Sequence, residues 1–100
     1  MEDLEVFKRS HQLALKIHRI SEAFPIAERF NLIPQMRRAA SSIGTNLMEG
    51  GHRLGRKEFR QFCGIAKGSA GELKYHVLIT KNLGYLSETN YSECRSEIEG

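Results

Sequence analysis

The chain has no tryptophan, only two prolines and two cysteines, and no apolar run approaching the ~18 residues that a membrane helix needs. Each shortage removes a class of protein. With few β-branched residues and no sustained alternation of apolar and polar positions, a β-sheet has almost no support. Cys63 and Cys94 stand apart, outside any Cys-x-x-Cys or Cys/His ligand spacing. They read as free thiols in a reducing compartment, with neither a structural disulfide nor a metal site expected. The N-terminus opens on Glu2 and Asp3, where a secretory signal would be basic, so the expected location is the cytoplasm, away from membranes.

Chemistry is also missing. There is no phosphate-cradling glycine loop and no Glu-x-x-His pair of the kind that builds di-metal bundles. Ser41 and Ser42 lack the G-x-S-x-G elbow and a base to orient them, so they read as packing residues rather than nucleophiles. His11 and His18, two helical turns apart, are too distant to chelate one ion together. No enzyme, metal or cofactor is expected.

What the chain does have is helical periodicity. One hundred residues suit one domain, residues 1–100, with a modest core. Helices are expected at about 4–24, 34–50, 56–83 and 88–98, the first starting near Asp3 or Leu4. Pro25 ends the first helix, Pro34 suits the first position of the second, and the run from Gly50 to Gly55 separates the second from the third. Gly84 suits a left-handed C-cap and Ser87 an N-cap, while Glu58 retains half of a capping box. In the connector, Phe30 and Leu32 are expected to anchor on the bundle, and Asn31 could take a left-handed turn. Seams repeat at three and four residues: Val6, Ser10, Leu13, Ile17, Ile20 and Phe24, then Leu32, Met36, Ala39, Ile43, Asn46 and Gly50. The third runs Phe59, Phe62, Ala66, Ser69, Leu73, His76, Thr80 and Leu83. This predicts an all-α, up-and-down antiparallel left-handed four-helix bundle with a short fourth helix and with Leu13, Ile17, Ile43, Phe62, Ala66 and Leu73 in its core.

Charge is unevenly distributed. The net charge is +3, yet residues 53–81 hold seven basic against two acidic residues, and residues 82–100 one basic against four acidic. Arg53, Arg60, Lys67, Lys74 and Lys81 recur every seven residues, with Arg56 and Lys57 thickening the start. The pattern predicts a basic stripe on helix three opposite its buried seam, suited to a phosphate backbone. Arg37, Arg38, Asn46, Glu49 and Glu72 read instead as a structural polar cluster at one bundle end, where Arg53 can pair with Glu49.

The segments Gln35-Met36-Arg37-Arg38-Ala39-Ala40, Ser42-Ile43-Gly44-Thr45-Asn46, Glu49-Gly50, Glu58-Phe59 and Ile65-Ala66-Lys67-Gly68-Ser69 carry a resemblance, joined by Leu4-Glu5-Val6-Phe7, Phe24-Pro25 and Leu83-Gly84-Tyr85-Leu86. In order and over nearly the whole chain, they are similar to the signature of the four-helix-bundle family of 23S rRNA-intervening-sequence proteins. Relatives of that family include accessory proteins of diversity-generating retroelements. Gly44 departs from a usual proline, Phe7 from tryptophan and Gly55 from a capping serine. The resemblance implies a homo-oligomer, a ring of five, with RNA or DNA as a candidate partner. The alternative is a scaffold or protein-interaction module that touches a protein partner and no nucleic acid.

Overall fold

Seams of period 3.5 to 3.6 bury themselves only against other helices. The computed structural model, which describes residue 2 and residues 4–99, shows α1 Glu5–Ser21, a 3-10 turn Ile26–Glu28, α2 Leu32–Gly51, α3 Arg56–Asn82 and α4 Glu88–Glu99. The expected start at Asp3 lies outside the described residues. α1 ends three residues short of Phe24, because Glu22, Ala23 and Phe24 donate their backbone N–H groups three residues back, in a tightened turn. α2 begins two residues before Pro34. Proline costs no hydrogen bond there, since N–H groups in a first turn have no acceptor within the helix.

Two caps form as the sequence predicts, while a third and the left-handed turn at Asn31 do not. Gly84 takes φ +82°, donating to the Lys81 carbonyl while Tyr85 donates to that of Thr80, the paired bonds of a Schellman motif. Ser87 accepts from the Asn90 amide at 3.0 Å. Asn31, however, sits at φ −127° rather than left-handed, and Gly55 begins α3 without a side-chain cap, so Glu58 completes no capping box.

Cross-helix contacts fix the topology. Ser69 meets Ser42 and Phe62 meets Gly50, so α2 and α3 are antiparallel with residue numbers summing to roughly the same value. Arg37 against Ser21 and Gly44 against Phe7 set α1 antiparallel to α2. Lys74 with Glu99 and Lys81 with Glu88 do the same for α3 and α4. α4 closes against α1 through Lys16, held by Glu93 and Glu97 at 2.7 and 2.9 Å. The bundle measures 44 × 25 × 18 Å, its length close to the ~40 Å of α3.

Leu13, Ile17, Ile43, Ala66 and Leu73 are buried as expected. Phe62 is only half-buried, and Val6 and Phe59 are 54% and 36% exposed. All three lie at the end that α4 does not reach, since its last residues meet α3 at Lys74. Phe30, expected as an anchor, is 90% exposed. Phe24, buried and tilted against Tyr85, closes the opposite end of the bundle with Leu86 and leaves Phe30 no place.

The small residues of α2 do what small residues allow. A Cβ on Gly50 would stand 2.9 Å from the Phe62 Cβ, so α2 and α3 approach too closely there for any side chain. Gly50→Ala should therefore lose stability by about 1–3 kcal/mol from overpacking, against the ~1 kcal/mol that alanine ordinarily gains in a helix. A urea titration reads the sign directly, and a gain would contradict the close approach.

Candidate nucleic-acid interface

Helical spacing places Arg56, Arg60, Lys67, Lys74 and Lys81 within roughly 60° of arc on α3, with Lys57 to one side. Arg53 precedes the helix. The stripe does not lie opposite the seam as predicted. It runs about a quarter turn from Ala66, Leu73 and Val77, on the side where α4 packs, because α3 is covered by α2 on one flank and α4 on the other.

That placement divides the stripe in two. Arg56, Lys57, Arg60 and Lys67 are exposed and have no ion pair or side-chain hydrogen bond among the described residues. Further along, Lys74 meets Glu99 at 2.6 Å. Lys81 meets Glu88 at 3.5 Å and lies 4.6 Å over the Tyr91 ring. The hydrogen bond from Lys74 and its charge hold the Glu99 carboxyl below the usual range. Arg53 bonds Glu49 at 3.2 Å, as the i, i+4 spacing predicts, and its guanidinium sits 5.0 Å from the Phe62 ring. Four cations are thus open to solvent at the start of α3.

The five residues expected as one polar cluster are not brought together. Arg37 donates to Ser21 Oγ at 2.9 Å, to the His18 carbonyl at 3.1 Å and to Glu22 at 3.4 Å, tying α2 to the end of α1. Arg38 is exposed. Asn46 donates to the carbonyl and hydroxyl of Ser42 on its own helix, and Ser42 accepts in turn from Ser69 at 2.8 Å. Glu49 turns to Arg53, while Glu72 approaches His76 Nε2 only to 4.0 Å. The reason is length: Arg37 and Glu49 are twelve residues apart on one helix, ~18 Å, so each polar group finds a local partner.

Sequence reasoning missed two features. One is the use of the α4 carboxylates as partners for the stripe, which the acidic balance of residues 82–100 already signals. The other is the run Gly64, Gly68 and Gly71, where an added Cβ would meet nothing within 4 Å. It forms a bare surface beside Lys67 and Lys74, flanked by Tyr75, 62% exposed, and Leu78, 38% exposed.

Among the described residues no group of three or more His, Cys, Asp or Glu could hold a metal, and no helix is long and apolar enough to cross a membrane. A groove of about 450 Å³ between α1 and α2, lined by Phe7, Ala14, Ala40 and Gly44 among others, also carries His11, His18 and Glu49. His11 stacks on Phe7 with ring centroids 6.4 Å apart.

The comparisons agree with the motifs. The chain superposes with TM-score 0.88 on the crystal structure of a protein of unknown function of the S23 ribosomal protein family from Bacteroides thetaiotaomicron. Identity is 23%, over 99% of this chain and 89% of that one, a likeness that speaks for the fold. No curated protein matches it. A profile described as 23S rRNA-intervening sequence protein matches residues 2–100, and with the segments from Gln35 to Ser69 in their expected places on α2 and α3, the chain belongs to the 23S rRNA-intervening sequence protein family.

Proposed function

We propose that this protein binds nucleic acid, without catalysing a reaction, along the phosphate backbone at the N-terminal half of α3. One observation carries the reading: Arg56, Lys57, Arg60 and Lys67 stand exposed on one side of a helix, with no acidic partner among the described residues. A merely solubilising surface mixes both signs, as this one does where α4 brings Glu99 and Glu88 to Lys74 and Lys81. Four unneutralised cations within ~17 Å of helix form a field that attracts a polyanion. None of these four positions is aromatic and the nearby Tyr75 is a single exposed ring, so base stacking is a minor contribution and affinity comes mainly from phosphate contacts and counterion release. RNA or DNA should therefore bind with little regard to sequence. The test is fluorescence anisotropy with oligonucleotides of different base composition, for which affinities at about 50 mM salt should agree within roughly threefold. No binding, or strong selection of one sequence, would contradict the proposal.

A second reading, compatible with the first, is self-association. Each glycine inside a helix costs roughly 0.5–1 kcal/mol relative to alanine, and at Gly64, Gly68 and Gly71 no close approach among the described residues, where an added Cβ would meet nothing within 4 Å, calls for that cost. A bare face edged by Tyr75 and Leu78 suits close approach by another copy, and closed cyclic symmetry is the usual arrangement of identical subunits, most often a dimer; five is the number that the family resemblance implies. Replacing all three glycines with alanine should stabilise the fold by about 0.4–1 kcal/mol per site while weakening assembly. A monomer mass for the parent by light scattering at micromolar concentration would end this reading.

A further inference from the structure

The free and the paired halves of the stripe are parts of one surface, and α4 is what separates them. Lys74 follows Lys67 by one heptad and Lys81 follows Lys74, so all three continue one line along α3. What holds the last two comes from α4: Glu99 meets Lys74 at 2.6 Å and Glu88 meets Lys81 at 3.5 Å, at opposite ends of that helix, with the Tyr91 ring beneath Lys81. These carboxylates stand where phosphates would stand.

From this arrangement we infer that α4 is an internal competitor for the nucleic-acid surface: Glu88 and Glu99 occupy Lys81 and Lys74, and an incoming polyanion displaces them and lengthens the stripe along α3. The inference rests on the nucleic-acid reading above and names how that site is regulated. The two ends of α4 differ in how firmly they are held. Near its start, Leu86, Tyr91 and Cys94 are buried and Gly84 and Ser87 fix the turn. Its last turn has Ile98 half-buried and Glu97 and Glu99 exposed, attached through Lys16, Lys74 and Arg95. Exposed pairs of this kind are weak and screened by salt. A strand of phosphates that releases condensed counterions outcompetes a lone carboxylate. Glu99 should therefore yield first, freeing Lys74 next to Lys67, and Glu88 second.

The experiment compares the parent, Glu88→Gln with Glu99→Gln, and Glu5→Gln with Glu22→Gln, the last making the same change in net charge away from the stripe. Binding of a uridine oligonucleotide is measured across a salt series. Because the polyanion reaches Lys74 and Lys81 in the parent as well, the slope of log affinity against log salt should stay the same. Affinity at about 50 mM salt should rise about three- to tenfold for the first variant, which has no ion pairs to break, and less than about twofold for the charge control. Hydrogen exchange on the parent supplies a second readout that needs no variant: amides of residues 95–99 should lose protection when the oligonucleotide is added. Binding by the parent that Lys67→Glu weakens, with an affinity of Glu88→Gln with Glu99→Gln no higher than that of the charge control and unchanged α4 protection, would overturn this inference and leave the proposed function standing. No binding by any variant would remove both.

Discussion

Leu73→Ala is expected to cost the fold about 2–5 kcal/mol, the range for deleting a fully buried leucine side chain. Leu73 is completely inaccessible. The register set by Ser42 with Ser69 and Gly50 with Phe62 brings it opposite the Arg38–Ala39 turn of α2, in one cluster with Met36, Ala39 and Val77. The alanine therefore leaves a cavity that straight helices cannot collapse around without losing contacts elsewhere. Small domains are stable by only ~5–15 kcal/mol, so the loss should lower the melting temperature by at least about 10 °C. Urea unfolding checks it: the midpoint should fall with the slope unchanged. Phe62→Ala removes a larger side chain, yet it should cost less than Leu73→Ala, because the Phe62 ring is only half-buried. A reversed order would mean that the N-terminal half of α3 is covered by something the single chain does not contain.

Much of this fold is legible in the residues themselves. The spacing of Leu13 and Ile17, and of Ala66 and Leu73, puts them inside by periodicity alone, and Gly84 and Ser87 mark their caps because few other residues serve there. What periodicity cannot supply is how far a neighbour extends. Phe59 and Phe62 belong to the same repeat as Leu73, and their exposure follows from where α4 stops along α3. Phe30 is hydrophobic and well placed in sequence, but Phe24, Tyr85 and Leu86 already fill its end of the bundle, where α1 and α3 finish and α4 begins.

The candidate site was legible in part for the same reason. Heptad spacing shows that Arg60, Lys67, Lys74 and Lys81 share a face, but not which of them meet carboxylates from a helix that is remote in sequence. The polar residues from Arg37 to Glu72 failed as a cluster because side chains on one helix satisfy themselves within a turn, as Asn46 does with Ser42, before reaching across a bundle.

The second large effect belongs to the open half of the stripe. Reversing Arg60 and Lys67 together to glutamate removes two of the four unpaired cations and sets two carboxylates in the path of the phosphates. Neither side chain is buried or bonded to another among the described residues, so stability should change by no more than about 0.5 kcal/mol. Binding should respond much more strongly, with affinity falling at least about tenfold at low salt through lost phosphate contacts and added repulsion. Loss of binding with an unchanged melting curve would separate this surface from any structural role.

The central claim is that phosphate contacts at the start of α3 carry the binding, and its most direct test is the salt dependence of affinity for a single-stranded oligonucleotide. For the parent, the plot of log affinity against log salt should have a slope between about −3, which four contacts on a single strand require, and about −4, which six give when Lys74 and Lys81 are released. Arg60→Glu with Lys67→Glu should flatten it by about 1.4. A parent slope near zero, or equal slopes for parent and variant, would contradict the account.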